Sequence, residues 1–166
     1  FILRYFNPVG SHDSGLLGEE YTGYNGNLFP IICNSALDKY NILNIYGDDW
    51  STNDGTCVRD YIHVVDLARA HVKAVDYILN EINVKTTYNI GVGKGISVKQ
   101  VIDTFEKINE IKIRYEIGPR RKGDVENIYS NSDKIFKDIG WFPVKTLESA
   151  LRTAWGWEKN KNSLKN

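Results

Sequence analysis

An α/β fold is predicted by three observations. Segments with strand character alternate with segments of helical periodicity, joined mostly by short connections. The chain opens on the apolar run Phe1-Ile2-Leu3-Arg4-Tyr5-Phe6, of the kind that lies buried inside a parallel sheet. Its 166 residues are 42% hydrophobic and 25% charged, ordinary globular usage that excludes collagen-like, low-complexity and disordered chains.

The elements follow in order. After the strand over 1–6, Asn7-Pro8-Val9-Gly10 breaks the run, and the glycine-dotted stretch 11–26 reads as a long loop, a length usually functional or mobile. Phe29, Ile32, Cys33, Ala36 and Leu37 predict a helix over 28–40. The short strand 42–46 comes next and fits either the main sheet or a smaller separate one. Residues 47–55 form a polar turn. A strand over 58–64 leads into a helix whose inward stripe is Leu67, His71, Val75, Ile78, Leu79 and Ile82. Residues 86–90 are a strand, and Ser97 with Gln100 forms a capping box opening a helix that runs to Asn109. Ile111, Ile113, Tyr115 and Ile117 alternate with charged residues, the pattern of a half-exposed strand. A charged loop at 120–124 precedes two helices, 132–138 and 146–158, the second turning Leu147, Leu151, Ala154 and Trp155 inward.

Charge and cysteine content restrict the function classes. Lysine plus arginine equals aspartate plus glutamate at 21 each, which argues against a nucleic-acid footprint or a polybasic membrane surface. The sequence has neither a bilayer-length apolar run nor a secretory leader pattern, so a cytoplasmic protein is expected. Cys33 and Cys57 lack zinc-ligand spacing and read as buried free thiols, with no metal site expected. The chain begins at Phe1 and holds no methionine, which suggests a piece of a longer protein.

Candidate chemistry is local. Asn7 follows the first strand, where ligands of open parallel sheets bind, although Asn-Pro is also a plain turn-former. Tyr5 shares its face in an extended chain. Arg59 sits in a strand-like stretch and needs an anionic partner, either a ligand or Asp60 or Asp66. Arg120, Arg121 and Lys122 form a second cationic cluster beside Gly123 and Asp124, which is otherwise a solvated turn. Two arginines converging from these segments would suit a diphosphate, because guanidinium matches phosphate oxygens bidentately. Gly91-Val92-Gly93-Lys94-Gly95 lacks the spacing of a phosphate loop and reads as a tight turn. His12, Asp13 and Ser14 are triad residue types without triad spacing. His63 and His71 read as packing and local hydrogen bonding.

The blocks Leu3-Arg4-Tyr5-Phe6-Asn7-Pro8-Val9-Gly10, Asn27-Leu28-Phe29-Pro30, Asp54 to Ala68 and Pro119-Arg120-Arg121-Lys122-Gly123-Asp124 resemble the UDP-glucose 4-epimerase family across nearly the whole chain. The resemblance implies the carboxyl-terminal portion of an extended short-chain dehydrogenase/reductase: the end of a Rossmann parallel sheet plus a small α/β substrate-binding domain. On that view residues 1–166 are the UDP-sugar-binding portion, with 1–10 and part of 58–95 belonging to the Rossmann domain and the amino-terminal NAD-binding half outside the chain.

It also implies NAD as cofactor, UDP-glucose and UDP-galactose as substrates, and a homodimer as the complete enzyme. By matching positions, Tyr5 would contact the nicotinamide region and Asn7 the substrate. Asn27 and Leu28 would meet the diphosphate and uracil neighbourhood. Asn44, Ile45 and Tyr46 would line the uridine pocket. Arg59 and Arg121 would bind the diphosphate, and Asp124 would accept from the ribose hydroxyls. Ile128 matches the position facing the C2 substituent of the sugar, where familiar members carry Tyr or Cys. The sequence holds no Gly-x-x-Gly-x-x-Gly and no Tyr-x-x-x-Lys, so the chain by itself is expected to be inactive. The competing readings are a nucleotide-sugar dehydratase or decarboxylase, a non-catalytic UDP-sugar-binding module, and a purely structural fragment.

Overall fold

The computed structural model describes residues 1–20, 27–38, 41–81 and 85–163. The sequence expectations for 21–26, Tyr40 and Ile82 lie outside the described residues. The order of elements is β1 (Ile2–Tyr5), β2 (Asn7–Val9), α1 (Leu28–Leu37), β3 (Leu43–Tyr46), β4 (Val58–Arg59), β5 (Tyr61–His63), α2 (Val64–Asn80), β6 (Thr87–Ile90), β7 (Ile96–Ser97), α3 (Val98–Asn109), β8 (Tyr115–Gly118), β9 (Asn127–Ile128), α4 (Asp133–Ile139) and α5 (Leu147–Ser163). The class is α/β, as expected.

Four strand pairs are parallel, β1 with β6, β2 with β5, β3 with β8 and β4 with β9, while β4 and β7 pair antiparallel. A short three-stranded sheet runs β7-β4-β9. Two apolar cores result. The larger gathers Phe29, Ile32 and Cys33 of α1, Leu43 and Ile45 of β3, Ile102 and Phe105 of α3, and Leu151 and Trp155 of α5. The smaller gathers Ile62, Leu67, Ala70, Tyr88, Ile90, Ile135 and Trp141, with Phe1 and Leu3 packed against it.

Local chemistry explains most boundaries. The α3 capping box is complete, Ser97 Oγ accepting from the Gln100 amide and Gln100 Oε1 from the Ser97 amide. Pro30 sits in the first turn of α1, where no intrahelical donor is needed. Helix α4 ends at Gly140, whose φ of +64° is the left-handed cap. The β3·β8 pair does form a separate small sheet.

Several expectations are corrected. The first strand is not buried on both faces: alternation turns Phe1 and Leu3 to the core and leaves Ile2 and Arg4 exposed, while Tyr5, in phase with Leu3 at the strand's end, is still 54% exposed. Residues 7–9 are not a break but strand β2. Its only described neighbour is β5, so Pro8, which has no N–H, is tolerated on an edge strand. The expected strand over 58–64 is two strands in different sheets, because the Asp60 side chain turns into the interior and ends the first ladder. The stripe expected on α2 is also wrong beyond Leu67: the buried positions are Asp66, Leu67, Ala70 and Ala74, while Val75, Ile78 and Leu79 are exposed. Finally, the alternation over 111–117 yields a strand only from Tyr115 to Gly118. Ile113 instead plugs the larger core.

Candidate functional site

A cleft of about 290 Å³ opens beside the larger core, whose Val9, Leu43, Ile45 and Tyr61 line it. Asn7, Pro8 and Val9 of β2 form one part of its wall, and Asn27, Leu28 and Ile31 bring in the start of α1. Leu43, Asn44, Ile45 and Tyr46 line it along β3. Cys57, Arg59 and Tyr61 contribute from the β4–β5 segment, Val98 from α3, and Arg121 and Asp124 from the charged loop.

The two arginines predicted from separate segments do converge, and the point of convergence is Asp124. Arg121 forks onto its carboxylate, Nε at 3.2 Å from Oδ2 and Nη2 at 3.0 Å from Oδ1. Arg59 Nη2 lies 3.5 Å from the same Oδ1, and its Nη1 donates to the Val58 carbonyl at 2.8 Å. Arg59 and Asp124 are each only 15% exposed, so this is a partly desolvated trio. The Arg121 guanidinium also stands 5.3 Å from the centroid of the Tyr46 ring. Burial raises the Tyr61 hydroxyl pKa, so it stays a protonated donor; burial likewise raises the Cys57 thiol.

The partners expected for Arg59 are therefore corrected: neither Asp60 nor Asp66 pairs with it. Asp60 is wholly buried, and its carboxylate accepts from Val92 N at 2.8 Å, Gly93 N at 3.0 Å, Ser130 N at 3.0 Å and Ser130 Oγ at 2.7 Å. Asp66 accepts from the amides of Val144 and Lys145 at 2.9 and 2.7 Å, fixing the approach to α5. Arg120 does not join the cleft. It pairs with Asp49 at 2.6 Å and stacks 4.1 Å from the Trp50 ring centroid, tying the 47–55 turn to the charged loop.

Nine of the sequence-predicted site residues line the cleft: Asn7, Asn27, Leu28, Asn44, Ile45, Tyr46, Arg59, Arg121 and Asp124. Tyr5 and Ile128 do not. Tyr5 sits at the end of β1 with its ring 6.2 Å from that of His71. Ile128 is 41% exposed in β9, in register with Arg59. The sequence reading missed Tyr61 and the apolar lining. A signal for Tyr61 existed, since it lies two residues beyond Arg59 and period two puts both on one side.

The glycine turn at 91–95 behaves as a turn, but its amides are not idle. Gly91 N donates to Ser132 Oγ, and Val92 N and Gly93 N hold the Asp60 carboxylate. With these donors committed, the turn offers no cradle for a dinucleotide pyrophosphate. His12, Asp13 and Ser14 make local bonds only, His12 to Ser14 at 2.8 Å and Asp13 to Lys145 at 2.7 Å. Among the described residues no group of His, Cys, Asp and Glu is arranged to hold a metal ion, and no helix is long and apolar enough to cross a membrane.

The family model described as GDP-mannose 4,6 dehydratase matches residues 1–154. The chain belongs to the GDP-mannose 4,6 dehydratase family. Within it, the chain is 46% identical over 159 residues to the UDP-glucose 4-epimerase of Haemophilus influenzae, covering 96% of the chain and 47% of that relative. The crystal structure of UDP-glucose 4-epimerase from Stenotrophomonas maltophila with bound NAD and formylated UDP-arabinopyranose superposes with a TM-score of 0.93 at 38% identity, over 98% of this chain and 48% of that one. The enzyme of Bifidobacterium longum in complex with NAD+ and UDP superposes at 0.91 with 43% identity, over 96% and 47%. This member of the family thus spans about half the length of the relatives it matches.

Proposed function

We propose that the chain is the UDP-sugar-binding portion of a UDP-glucose 4-epimerase. That isomerase interconverts UDP-glucose and UDP-galactose by NAD-dependent oxidation and reduction at C4 of the sugar. The observation that carries the reading is the convergence of Arg59 and Arg121 in one cleft beside the Tyr46 ring. A diphosphate is doubly anionic or more, and each charge-assisted hydrogen bond to it contributes roughly 1.5–3 kcal/mol. Two guanidiniums therefore anchor the nucleotide, Tyr46 offers a flat face to its base, and Asp124 is placed to accept from ribose hydroxyls. The names of the similar proteins, and the UDP in the B. longum complex, support the same assignment.

The chemistry at C4 needs groups this chain lacks. It has no Tyr-x-x-x-Lys proton acceptor, and its glycine turn is spent on Asp60, so the base and the dinucleotide cradle belong to the remainder of the parent protein. The chain binds and orients. Residues 1–10 and part of 58–95 belong on this reading to the dinucleotide domain, which the smaller core uniting β1, β6 and α2 supports. Tyr5 at the end of β1 would meet the nicotinamide, and Ile128 beside Arg59 the sugar. A cytoplasmic homodimer completes the proposal; the two buried free thiols, Cys33 and Cys57, suit a reducing compartment.

A nucleotide-sugar dehydratase is the second reading, favoured by the family description itself. Product analysis separates the two, since epimerisation conserves the sugar's composition and dehydration removes water. The binding assignment is tested by calorimetric titration of the polypeptide carrying this chain with UDP, alongside Arg59→Ala. Saturable binding weakened tenfold or more in the variant supports it. A folded protein without affinity for UDP overturns it.

A further inference from the structure

Asp124 is an unexpected occupant of an anion-binding cleft. Its carboxylate, 15% exposed, takes the fork of Arg121 at 3.0 and 3.2 Å and stands 3.5 Å from Arg59. Gly123, with φ of +91°, and the bond from Asp124 N to the Arg121 carbonyl at 3.2 Å fold the loop back to hold it there. The trio carries a net charge of +1 rather than +2. Any phosphate that reaches the arginines meets a fixed negative charge within the same partly desolvated site, where a unit charge acts more strongly than in water.

We infer that Asp124 is a specificity-determining residue that makes the cleft reject bare phosphate anions in favour of ligands that also fill its uncharged wall. This inference rests on the proposed function and refines it. An inorganic diphosphate has only charge to offer, so it meets the full repulsion of the carboxylate and must compete for guanidiniums that already have a partner. A nucleoside diphosphate offsets the same repulsion by other contacts. Its base can lie against Tyr46, which the Arg121 guanidinium already flanks at 5.3 Å, and its hydroxyls can donate to the Asp124 oxygens. The carboxylate thus opposes one class of ligand and contributes an acceptor to the other. Discrimination by an added repulsion is a common route to specificity where one attractive feature is shared by many competitors. Inorganic phosphates are such competitors for any site built on paired arginines.

Arg120 shows that the effect belongs to Asp124 and not to the loop at large. It is adjacent in sequence, equally cationic, and neutralised outside the cleft by Asp49. Releasing Arg120 leaves the charge inside the cleft unchanged, so Asp49→Asn is the matched control.

The test is calorimetry on the polypeptide carrying this chain, with inorganic diphosphate and with UDP at one fixed ionic strength, for the wild type, Asp124→Asn, Asp124→Ala and Asp49→Asn. Circular dichroism checks that each is folded. The expected result is that both Asp124 variants bind inorganic diphosphate about tenfold more tightly, the order expected for removing one unit charge from a partly exposed site. UDP affinity stays level or falls, so the preference for UDP over diphosphate collapses. Asp49→Asn leaves that preference intact. Wild-type binding of UDP with unchanged or weaker diphosphate binding in both Asp124 variants overturns this inference alone. A folded wild type that binds neither ligand overturns the functional reading, and this one with it.

Discussion

Replacing Asp60 by alanine should destabilise the protein by about 3–5 kcal/mol. The carboxylate is wholly buried and accepts four hydrogen bonds, from Val92 N, Gly93 N, Ser130 N and Ser130 Oγ, at 2.7–3.0 Å. Bonds to a charged group contribute roughly 1.5–3 kcal/mol each, so a simple sum would reach about 6–12 kcal/mol. The sum overshoots for two reasons. Burying the carboxylate costs several kcal/mol of desolvation, which the variant avoids. The Ser130 hydroxyl also has a second partner ready, Ser132 Oγ at 3.2 Å. What remains is two backbone donors, Val92 N and Ser130 N, without an acceptor, because Gly93 N keeps Ser130 Oγ at 3.1 Å, which still places the loss in the upper range for single substitutions. With a urea m-value of about 2 kcal/mol/M, the midpoint should fall by about 1.5–2.5 M. Urea unfolding followed by circular dichroism at pH 7 measures it. A shift below about 0.5 M would mean that the four bonds do not hold the glycine turn to the segment after β9, and the account of Asp60 as the junction would be wrong. Asp60→Asn should lose less, since its oxygen can take the place of Oδ2, which receives three of the four bonds, and only Val92 N then faces an amide donor.

Arg121→Ala should weaken UDP binding at least tenfold while leaving NAD retention largely intact, because the bidentate fork is lost and no described contact of Arg121 reaches beyond the cleft and its loop; an unchanged dissociation constant would refute its assignment. Ile128→Tyr should suppress activity on UDP-N-acetylglucosamine more than on UDP-glucose, and equal loss on both would remove Ile128 from the sugar's surroundings. Burial, then the charge of Lys145, holds the His63 imidazole below its ordinary value, while Nδ1 caps α2 by accepting from Val65 N at 3.1 Å. The unfolded chain therefore takes up this proton at higher pH than the folded one, so the stability involved is complete above about pH 6.5 and is lost as pH falls below it. His63→Asn keeps a cap acceptor and should remove that slope between pH 6.5 and 5 in urea titrations; an unaltered slope would assign it to other groups.

Much of the fold is decided by local rules, which a sequence states openly. The Ser97/Gln100 capping box, the apolar faces of α1 and α5, and strands β3 and β6 depend on neighbours three or four residues away, or on simple alternation. The cationic residues of the site were legible for a related reason. Arginine in a strand-like stretch must have an anion, and Arg59 announced that need without showing who meets it, whereas Arg121 stood in a cationic loop that also read as a solvated turn.

Tertiary structure decided what depends on contacts between distant segments. Asp60 and Asp66 were candidate partners for Arg59 by proximity in sequence, yet Asp60 is held by residues 92–93 and 130, and Asp66 by the amides of 144–145 together with Arg69 at 3.1 Å. Asp124 took the arginine instead, because a glycine turn folds it back beside Arg121. The outward Val75, Ile78 and Leu79 show the same division: periodicity marks an apolar stripe on α2 but not which stripe is covered. Alanines 70 and 74, small enough for close approach, face the interior there. Local pattern set the α/β elements and put arginines in the segments that come to line one cleft. Only the tertiary structure could pair its charges, because a buried carboxylate binds whichever donors the folded chain brings within 3 Å.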